Sequence, residues 1–318
     1  MLGKRPACFV RLATICALIG LISTNPLNSN TEPRPLITAE GKGLHMTDFD
    51  PNAVPIRAAA TVLLITDTPE LRVLMMRRHA NTVFAGGMWV FPGGAVDPED
   101  AHTPTAGFIE TTYPGPILDN SIESHRAYYV AAIRECFEEA GILMTCPDPA
   151  TTPSQALTPD HQQGARDQLN EGQLKFDDFL NRAGLLPDAD QIKPVARWIT
   201  PLGSPKRFDA RFFLATCPPD QISSHDAGEL VDSAWMQPKD ILARFEAGEL
   251  SIMTPTLRMI QNLIPFEKSA AVISALDRLT EYDQVKVDPE SRALLMPGEP
   301  GYDAAADNIE TGWVRLKP

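Results

Sequence analysis

Three glutamates lie close together in the segment Ala131–Ile142, whose sequence is A-A-I-R-E-C-F-E-E-A-G-I. If this segment is a helix with about 100° per residue, Glu135, Glu138 and Glu139 occupy one narrow face. Like charges at this spacing destabilise a helix, whereas hard divalent cations such as Mg²⁺ prefer clustered carboxylate oxygens. The spacing therefore indicates either a site for a divalent cation or an acidic helix face in contact with solvent.

The residues around the glutamates predict a helix that packs on a core. The apolar residues fall on the other side of the helix: Ile133, Cys136, Phe137 and Ala140. Arg134 lies one turn before Glu138 and can pair with it. We expect the helix to run from about Ser124 to Ala140 and to end at Gly141, because glycine adopts the left-handed conformation of a helix end at little cost.

A glycine pair precedes this helix. The run Phe91-Pro92-Gly93-Gly94 is typical of a strand end followed by residues that let the backbone approach a ligand or a helix closely. Together with R-E-C-F-E-E-A-G-I, the pair resembles the box of the Nudix hydrolases. In that box a glycine, five residues, a glutamate and seven residues precede R-E-U-x-E-E-x-G-U, where U is bulky and apolar. The matching positions are Gly94, Arg134, Glu135, Glu138, Glu139, Gly141 and Ile142.

The chain departs from the box at two points. Asp100 stands where the family has a glutamate, and 33 residues separate Asp100 from Arg134 where the family has seven. One branch of the family carries such an insertion, the coenzyme A diphosphatases that are similar to the animal peroxisomal enzyme. The runs F-A-G-G-M-W-V-F-P-G-G-A-V-D and R-F-D-A-R-F-F also resemble that branch. The insertion would span residues of about 101–126.

The resemblance implies metal-dependent hydrolysis of a nucleoside diphosphate that is linked to another group. It implies that Mg²⁺ or Mn²⁺ binds to Glu135, Glu138 and Glu139. The residues that it assigns to catalysis are Arg134, Glu135, Glu138, Glu139 and Glu229. Arg134 would orient a carboxylate, and the general base is left open among Glu135, Glu139 and Glu229, which precedes a predicted strand.

Arginines and glycines outside the helix are candidate substrate contacts, since a guanidinium group suits bidentate binding of phosphate. Arg77 and Arg78 follow a predicted strand, and Arg207 lies in the R-F-D run. A basic surface strand end explains Arg77 and Arg78 equally well. Gly93 and Gly94 complete the predicted substrate-binding set.

The best substrate prediction is coenzyme A or acyl-coenzyme A, cleaved to 3′,5′-ADP and (acyl)phosphopantetheine. NADH or ADP-ribose is the alternative, because the box contacts the diphosphate and the metal that all these substrates share. A non-catalytic nucleotide-sensing module is a further alternative. It is expected to have lost metal carboxylates, whereas this chain keeps all three.

The apolar pattern predicts an α/β (α+β) class, and the resemblance implies a Nudix α/β/α sandwich with a mixed sheet. The expected strands are Ala58–Ile65, Arg72–Met76, Met88–Phe91, Val195–Ile199, Phe208–Ala215 and Leu230–Met236. The expected helices after the box are Leu174–Ala183, Pro238–Ala247, Thr256–Ile264 and Lys268–Leu279. We expect loops over Asp97–Glu123 and from Val285 onward. Residues 46–318 are thus one domain with extra helices and a C-terminal extension of about 265–318.

Charge and composition exclude several classes of protein. The chain has 28 Lys and Arg against 41 Asp and Glu, a net charge of −13, so long nucleic acid is not an expected partner. With 43% hydrophobic and 22% charged residues, it is neither wholly disordered nor a polytopic membrane protein. The expected partner is a small nucleotide. No obligatory protein partner is evident, and a homo-oligomer stays open.

The N-terminal segment of residues 1–45 has two interpretations. In the first, the segment lies upstream of a true start at Met46 and is disordered in part. In the second, its apolar run Leu12–Ile22 belongs to a signal or anchor within residues 1–25. The first interpretation places the protein in the cytoplasm, and the second makes it exported or membrane-anchored. The cysteines show no CxxC spacing, which indicates free thiols in a reducing compartment: Cys8, Cys16, Cys136, Cys146 and Cys217.

Overall fold

The computed structural model describes residues 53–81, 85–108, 114–115, 125–154, 157–202, 204–223, 230–291, 293–306 and 312–317. The strands in these ranges are β1 (Ile56–Thr66), β2 (Arg72–Arg78), β3 (Trp89–Val90), β4 (Gly93–Ala95), β5 (Thr145–Pro147), β6 (Leu185–Pro187), β7 (Ile192–Ile199), β8 (Arg207–Thr216), β9 (Leu230–Met236), β10 (Asp283–Val287), β11 (Leu294–Leu295) and β12 (Gly312–Val314). The helices are α1 (His125–Ala140), α2 (Pro159–Asn170), α3 (Phe176–Ala183), α4 (Pro238–Glu246), α5 (Thr254–Leu263) and α6 (Ser269–Arg278). The N-terminal segment 1–45 lies outside the described residues.

Among the described residues, a mixed ten-stranded sheet forms the centre of the molecule. Eight of its strands follow the order β11-β10-β12-β7-β8-β1-β2-β3, while β4 pairs with β1 and β9 pairs with β2. Its central pair, β1 and β8, is parallel, whereas β7 pairs with β8 and β2 pairs with β1 in antiparallel register. The alternation along β1 shows why both faces are buried. Ala60, Val62 and Leu64 belong to one apolar core, and Leu63 and Ile65 belong to the other.

Helices cover both faces of this sheet, which confirms the predicted sandwich. The core that includes Val62 is completed by α1, α2 and α3. The opposite core is completed by α4, α5 and α6, through residues such as Ile241, Ile260 and Leu276. The strands and helices predicted from the apolar pattern are confirmed to within a few residues at their ends. One face of the sheet thus carries α1, and the opposite face is covered by α4, α5 and α6.

The glycine pair lies where β1 and β2 separate. The two strands pair next to their connection, where Ile65 lies opposite Val73. Farther along, β3 pairs with β2 and β4 pairs with β1, so the segment 89–95 fills the space between them. The carbonyl of Pro92 accepts hydrogen bonds from the Val62 amide at 2.8 Å and from a β1 threonine hydroxyl at 2.7 Å. These bonds fix the loop that presents Gly93 and Gly94 to α1.

Two parts of the chain differ from the sequence prediction. The helix α2 was not predicted, because its buried face consists of Ala165, Arg166 and Leu169, and a charged residue breaks the apolar pattern. The prediction of loops from Val285 onward was wrong for three short strands. β12 pairs with β7, and β10 and β11 follow outside it, so this region extends the main sheet. Strands of two to five residues that pair across long separations leave no periodic signal.

The box insertion is described in part. It opens with a single 3₁₀ turn at Pro98–Ala101. Residues 109–113 and 116–124 lie outside the described residues. At Pro114 the carbonyl accepts a hydrogen bond from Arg197 Nη1 at 2.8 Å. A side chain at Gly115 would collide with the ring of Trp313. The insertion is therefore in contact with both β7 and the C-terminal strand β12.

A buried ion network lies on the α1 face of β7 and β8. The carboxylate of Asp209 is fully buried and binds Arg197 through two bonds of 2.9 Å. It also accepts a bond of 3.3 Å from Arg211 Nη2 and one of 3.4 Å from the hydroxyl of Tyr128 on α1. Through Tyr128, this network joins α1 to the sheet by polar contacts in addition to the apolar ones.

Among the described residues, no helix is long and apolar enough to span a membrane. Three cysteines within the described ranges are free thiols, as the sequence predicts: Cys136, Cys146 and Cys217. Cys8 and Cys16 lie outside these ranges.

Replacing Asp209 with asparagine removes the carboxylate that Arg197 and Arg211 share. Because removing one partner of a buried ion pair is costly, we expect the free energy of unfolding to fall by about 3–5 kcal/mol. The matched control is Asp277→Asn, since Asp277 is 57% exposed and pairs with Lys193 at 2.8 Å. This substitution should cost far less, because an exposed ion pair contributes little to stability. Urea unfolding followed by circular dichroism measures both, and equal losses would contradict the expectation.

Candidate functional site

The helix α1 carries the three glutamates on a side that is covered by protein. Residues 127–134 are all buried, and the predicted apolar side is buried as well. Glu139 is 8% exposed, and Glu135 and Glu138 are partly buried. The helix ends at Gly141, which has a left-handed φ of 72° and donates its amide to the Phe137 carbonyl at 2.9 Å. The prediction of an acidic face in contact with solvent is therefore wrong.

The guanidinium group of Arg134 joins the two halves of the box. It is 7% exposed and binds Asp100 through two bonds, Nε to Oδ1 at 3.1 Å and Nη2 to Oδ2 at 2.9 Å. Its Nη1 donates to Glu135 Oε1 at 2.7 Å and to Glu138 Oε2 at 3.4 Å, and its Nη2 donates to the Ala95 carbonyl at 2.8 Å. One side chain thus holds the start of the insertion, the glycine loop and two of the three glutamates.

The glycine pair contacts the other side of the same helix. The amide of Gly93 donates to Glu139 Oε2 at 2.7 Å. A Cβ at Gly93 would collide with the main chain of Ala60, and one at Gly94 would lie 2.5 Å from the carboxylate of Glu135. Gly93 therefore requires glycine, because the loop backbone lies directly against β1, whereas a side chain at Gly94 would displace the Glu135 carboxylate.

Burial changes the proton affinity of the acidic side chains. It raises the pKa of Glu135 to about 7, against the lowering effect of Arg134 and with a further rise from the Glu138 carboxylate. Burial also raises the pKa of Glu138 and of Asp100, and Arg134 opposes both shifts. Burial lowers the pKa of Arg134, but the hydrogen bond to Asp100 and the neighbouring carboxylates raise it above its ordinary value. The site thus has negative charges that gain from a nearby cation.

The donor set fits a hard divalent cation. Within the described ranges, no group of three or more His, Cys, Asp or Glu side chains is placed so that it could hold a metal ion. The three glutamates bind protein groups instead. Glu135 and Glu138 both accept from the same nitrogen of Arg134, and Glu139 accepts from the Gly93 amide. Two carboxylates that converge on one positive nitrogen, with a third beside them, supply the oxygen ligands that Mg²⁺ and Mn²⁺ prefer.

The other predicted site residues are on β2 and β8 or in a part of the chain that the structure does not describe. Arg207 is buried at the start of β8 and donates from Nε to the Thr200 carbonyl at 3.0 Å. Arg77 and Arg78 end β2, with Arg77 exposed and Arg78 partly buried. Glu229 lies outside the described residues. The structure therefore brings together Arg134, the three box glutamates and the glycine pair, and no described contact adds Arg207 to them.

Sequence reasoning missed two contributors to the site. Asp100 was noted as a departure from the box, but its paired bonds to Arg134 were not foreseen. Arg166 on α2 was not considered, although it is buried against the end of α1. A helix-start signal could have found α2, since Thr158 caps it, Pro159 is its first residue and Asp160 follows.

Comparisons with known proteins point in the same direction as this geometry. A family profile described as the NUDT19 Nudix domain matches residues 53–263, about two thirds of the chain. Acyl-coenzyme A diphosphatase NUDT19 of Gallus gallus is 28% identical over 260 residues, which cover 66% of this chain and 68% of that protein. The protein of the same name from Homo sapiens is 27% identical over 278 residues, covering 75% of this chain and 74% of its own length.

A solved structure is also similar. The crystal structure of a NUDIX hydrolase from Alicyclobacillus acidocaldarius matches with a TM-score of 0.55 and 28% identity. The match covers 70% of this chain and 97% of that chain.

The raised pKa of Glu135 predicts a pH-dependent stability in the absence of divalent metal. The folded value of about 7 lies above the ordinary value of 4.5, so the folded state binds this proton more tightly. The resulting stability is present below about pH 4.5 and is lost as the pH rises through 7, by up to about 3 kcal/mol. Urea unfolding in EDTA at several pH values, for the wild type and Glu135→Gln, measures it. We expect the difference in unfolding free energy between the two proteins to change over this range, and a constant difference would refute the assignment.

Proposed function

The chain belongs to the Nudix hydrolases, and we propose that it hydrolyses coenzyme A or acyl-coenzyme A to 3′,5′-ADP and (acyl)phosphopantetheine. The substrate part of this proposal is supported by the relatives from Gallus gallus and Homo sapiens, which are named acyl-coenzyme A diphosphatases. The reacting bond would be the diphosphate bond of the substrate, and a small-molecule nucleotide is the partner that the family fits.

One observation carries the catalytic part of the proposal. The box is split by a long insertion, yet Arg134 binds Asp100 through two bonds and holds Glu135 and Glu138 on its other side. A chain that had kept the box sequence without its use would have no reason to bury these charges together. The buried arrangement therefore supports a working acidic site rather than a nucleotide sensor.

Nudix hydrolases generally need divalent metal ions, and we propose that Mg²⁺ or Mn²⁺ is held by Glu135, Glu138 and Glu139. Such an ion supplies positive charge to the phosphate oxygens and lowers the pKa of a bound water when it is present. Arg134 keeps two of the carboxylates in place and offsets their mutual repulsion. The Gly93 amide fixes the third through its bond to Glu139.

The general base is proposed to be one of the candidates named from the sequence. Glu135 has a pKa raised to about 7 by burial, which suits proton transfer near neutral pH. Glu139 is held by Gly93, so its direction is fixed. Glu229 stays a prediction outside the described residues.

Substrate contacts are proposed for the glycine loop and for arginines on the sheet. Gly93 and Gly94 are proposed to contact the diphosphate through their backbone, since they lie directly against the helix carboxylates. Arg77 and Arg78 lie at the end of β2, beside the segment that leads into the glycine loop. Arg207 is retained as a proposed contact, although its Nε is bound to the Thr200 carbonyl. We further propose that the protein acts in the cytoplasm, because its cysteines show no CxxC spacing and this indicates free thiols in a reducing compartment.

Product analysis tests the substrate. The full chain is incubated with Mg²⁺ or Mn²⁺ and with coenzyme A, acyl-coenzyme A, NADH or ADP-ribose, and the products are identified by mass spectrometry. We expect 3′,5′-ADP and (acyl)phosphopantetheine, formed in the presence of metal and absent in EDTA. AMP from NADH or ADP-ribose, without cleavage of coenzyme A, would overturn the substrate. Folded protein that binds these nucleotides and cleaves none would overturn catalysis.

Substitution of Glu138 tests the metal site. Glu138→Gln keeps the size of the side chain and removes its charge, so we expect turnover to fall by at least about 100-fold with little change in the unfolding transition. Glu246→Gln on α4 is the matched control, because Glu246 is an exposed helical glutamate and α4 packs on the sheet face opposite to α1. It should retain the wild-type rate. A Glu138→Gln protein with full turnover would remove Glu138 from the metal site.

A further inference from the structure

A second arginine, on α2, binds the main-chain carbonyls of the last turn of α1. The final carbonyls of any helix have no partner within the helix. Here Arg166 Nε donates to the Glu138 carbonyl at 2.8 Å, and Arg166 Nη2 donates to the Glu139 carbonyl at 2.7 Å. Asn170 Nδ2 adds a bond of 3.3 Å to the Glu138 carbonyl. The two carbonyls belong to the same residues whose side chains are the proposed metal ligands.

The placement of Arg166 defines what α2 contributes. Most of α2 is exposed, and its buried residues are Ala165, Arg166 and Leu169. Arg166 is 2% exposed. Burying a guanidinium group is costly unless its donors are bound, so a helix with a small apolar face gains little stability from placing one there. The arginine is therefore explained better by what it holds than by the packing of α2.

Glu139 is fixed at two points by this arrangement. Its side chain accepts a bond from the Gly93 amide, and its main-chain carbonyl accepts one from Arg166. Glu138 is likewise held by Arg134 through its side chain and by Arg166 through its carbonyl. Rotation or fraying of the last helical turn would break bonds on both sides of the helix at once.

We propose that Arg166 is a positioning residue that fixes the last turn of α1, so that the carboxylates of Glu138 and Glu139 stay aligned for a divalent cation. The proposal rests on the proposed function. The planar fork of arginine spans two successive carbonyls, whereas a lysine ammonium is a point charge that cannot reproduce this pair of bonds. Its positive charge also lies at a helix C-terminus, where it is favourable.

The test compares Arg166→Lys with Leu169→Ala in the full chain. Leu169→Ala loosens the same buried face of α2 but leaves the guanidinium in place. Three quantities are measured for each protein: the dissociation constant of Mn²⁺ from the electron paramagnetic resonance signal of free Mn²⁺, kcat at saturating metal, and the urea unfolding transition. We expect Arg166→Lys to lose about 10–100-fold in Mn²⁺ affinity or in kcat, as for residues that orient metal ligands. Leu169→Ala should destabilise the fold and keep Mn²⁺ affinity within about twofold.

Asn170→Ala provides a second, milder variant, because it removes the weaker bond to the Glu138 carbonyl and keeps Arg166. We expect a smaller loss in the same direction. Wild-type Mn²⁺ affinity and kcat in Arg166→Lys, or an equal loss of Mn²⁺ affinity in Leu169→Ala, would overturn the proposal. The Mn²⁺ titration does not require turnover, so a chain that binds Mn²⁺ but cleaves no nucleotide would refute the proposed function and still test Arg166.

Discussion

The guanidinium group of Arg134 is the interaction on which the site depends. It is buried, and a buried charge is tolerated when it is paired and its donors are bound. Asp100, Glu135, Glu138 and the Ala95 carbonyl supply those acceptors. Removing Asp100, which accepts two of these bonds, would leave a buried positive charge without its main partner. The need to neutralise this one charge therefore holds the start of the insertion, the glycine loop and the helix together.

The contact of Asp100 with Arg134 explains how the chain accommodates a long insertion inside the Nudix box. The entropy cost of closing a loop rises slowly with its length, so a well-anchored insertion costs little more than a short one. The contacts that hold the insertion lie at its start and partway along it. Asp100 binds Arg134, the Thr103 hydroxyl donates to Asp177 on α3 at 2.6 Å, and Arg197 binds the Pro114 carbonyl. The insertion therefore extends the covered surface around α1 without separating the two parts of the box.

The sequence predicted those features that depend on local periodicity and missed those that depend on distant pairing. The apolar run Ala58–Ile65 predicted β1, and the helical spacing of apolar residues predicted the buried side of α1. The charge pattern could not tell whether the acidic face was covered, since that depends on Asp100 and the glycine loop, which are distant in sequence. Arg166 was missed because a single arginine on a polar helix looks like a surface residue. The strands β10 and β12 were missed because their partners are set by the assembled sheet rather than by their own residues.

The position of β12 sets the order in which the sheet can be completed. β12 lies between β7 and β10, so the outer strands reach the central sheet through residues 312–314. The strands β7 and β8 are synthesised about a hundred residues before β12, and β1 is synthesised earlier still. At about 5–20 residues per second, a hundred residues take several seconds. During that interval the outer edge of β7 has open backbone groups, and an open edge is a template for pairing with other chains. A nascent chain of this protein therefore passes through a period when a chaperone on the edge of β7 would favour folding over aggregation.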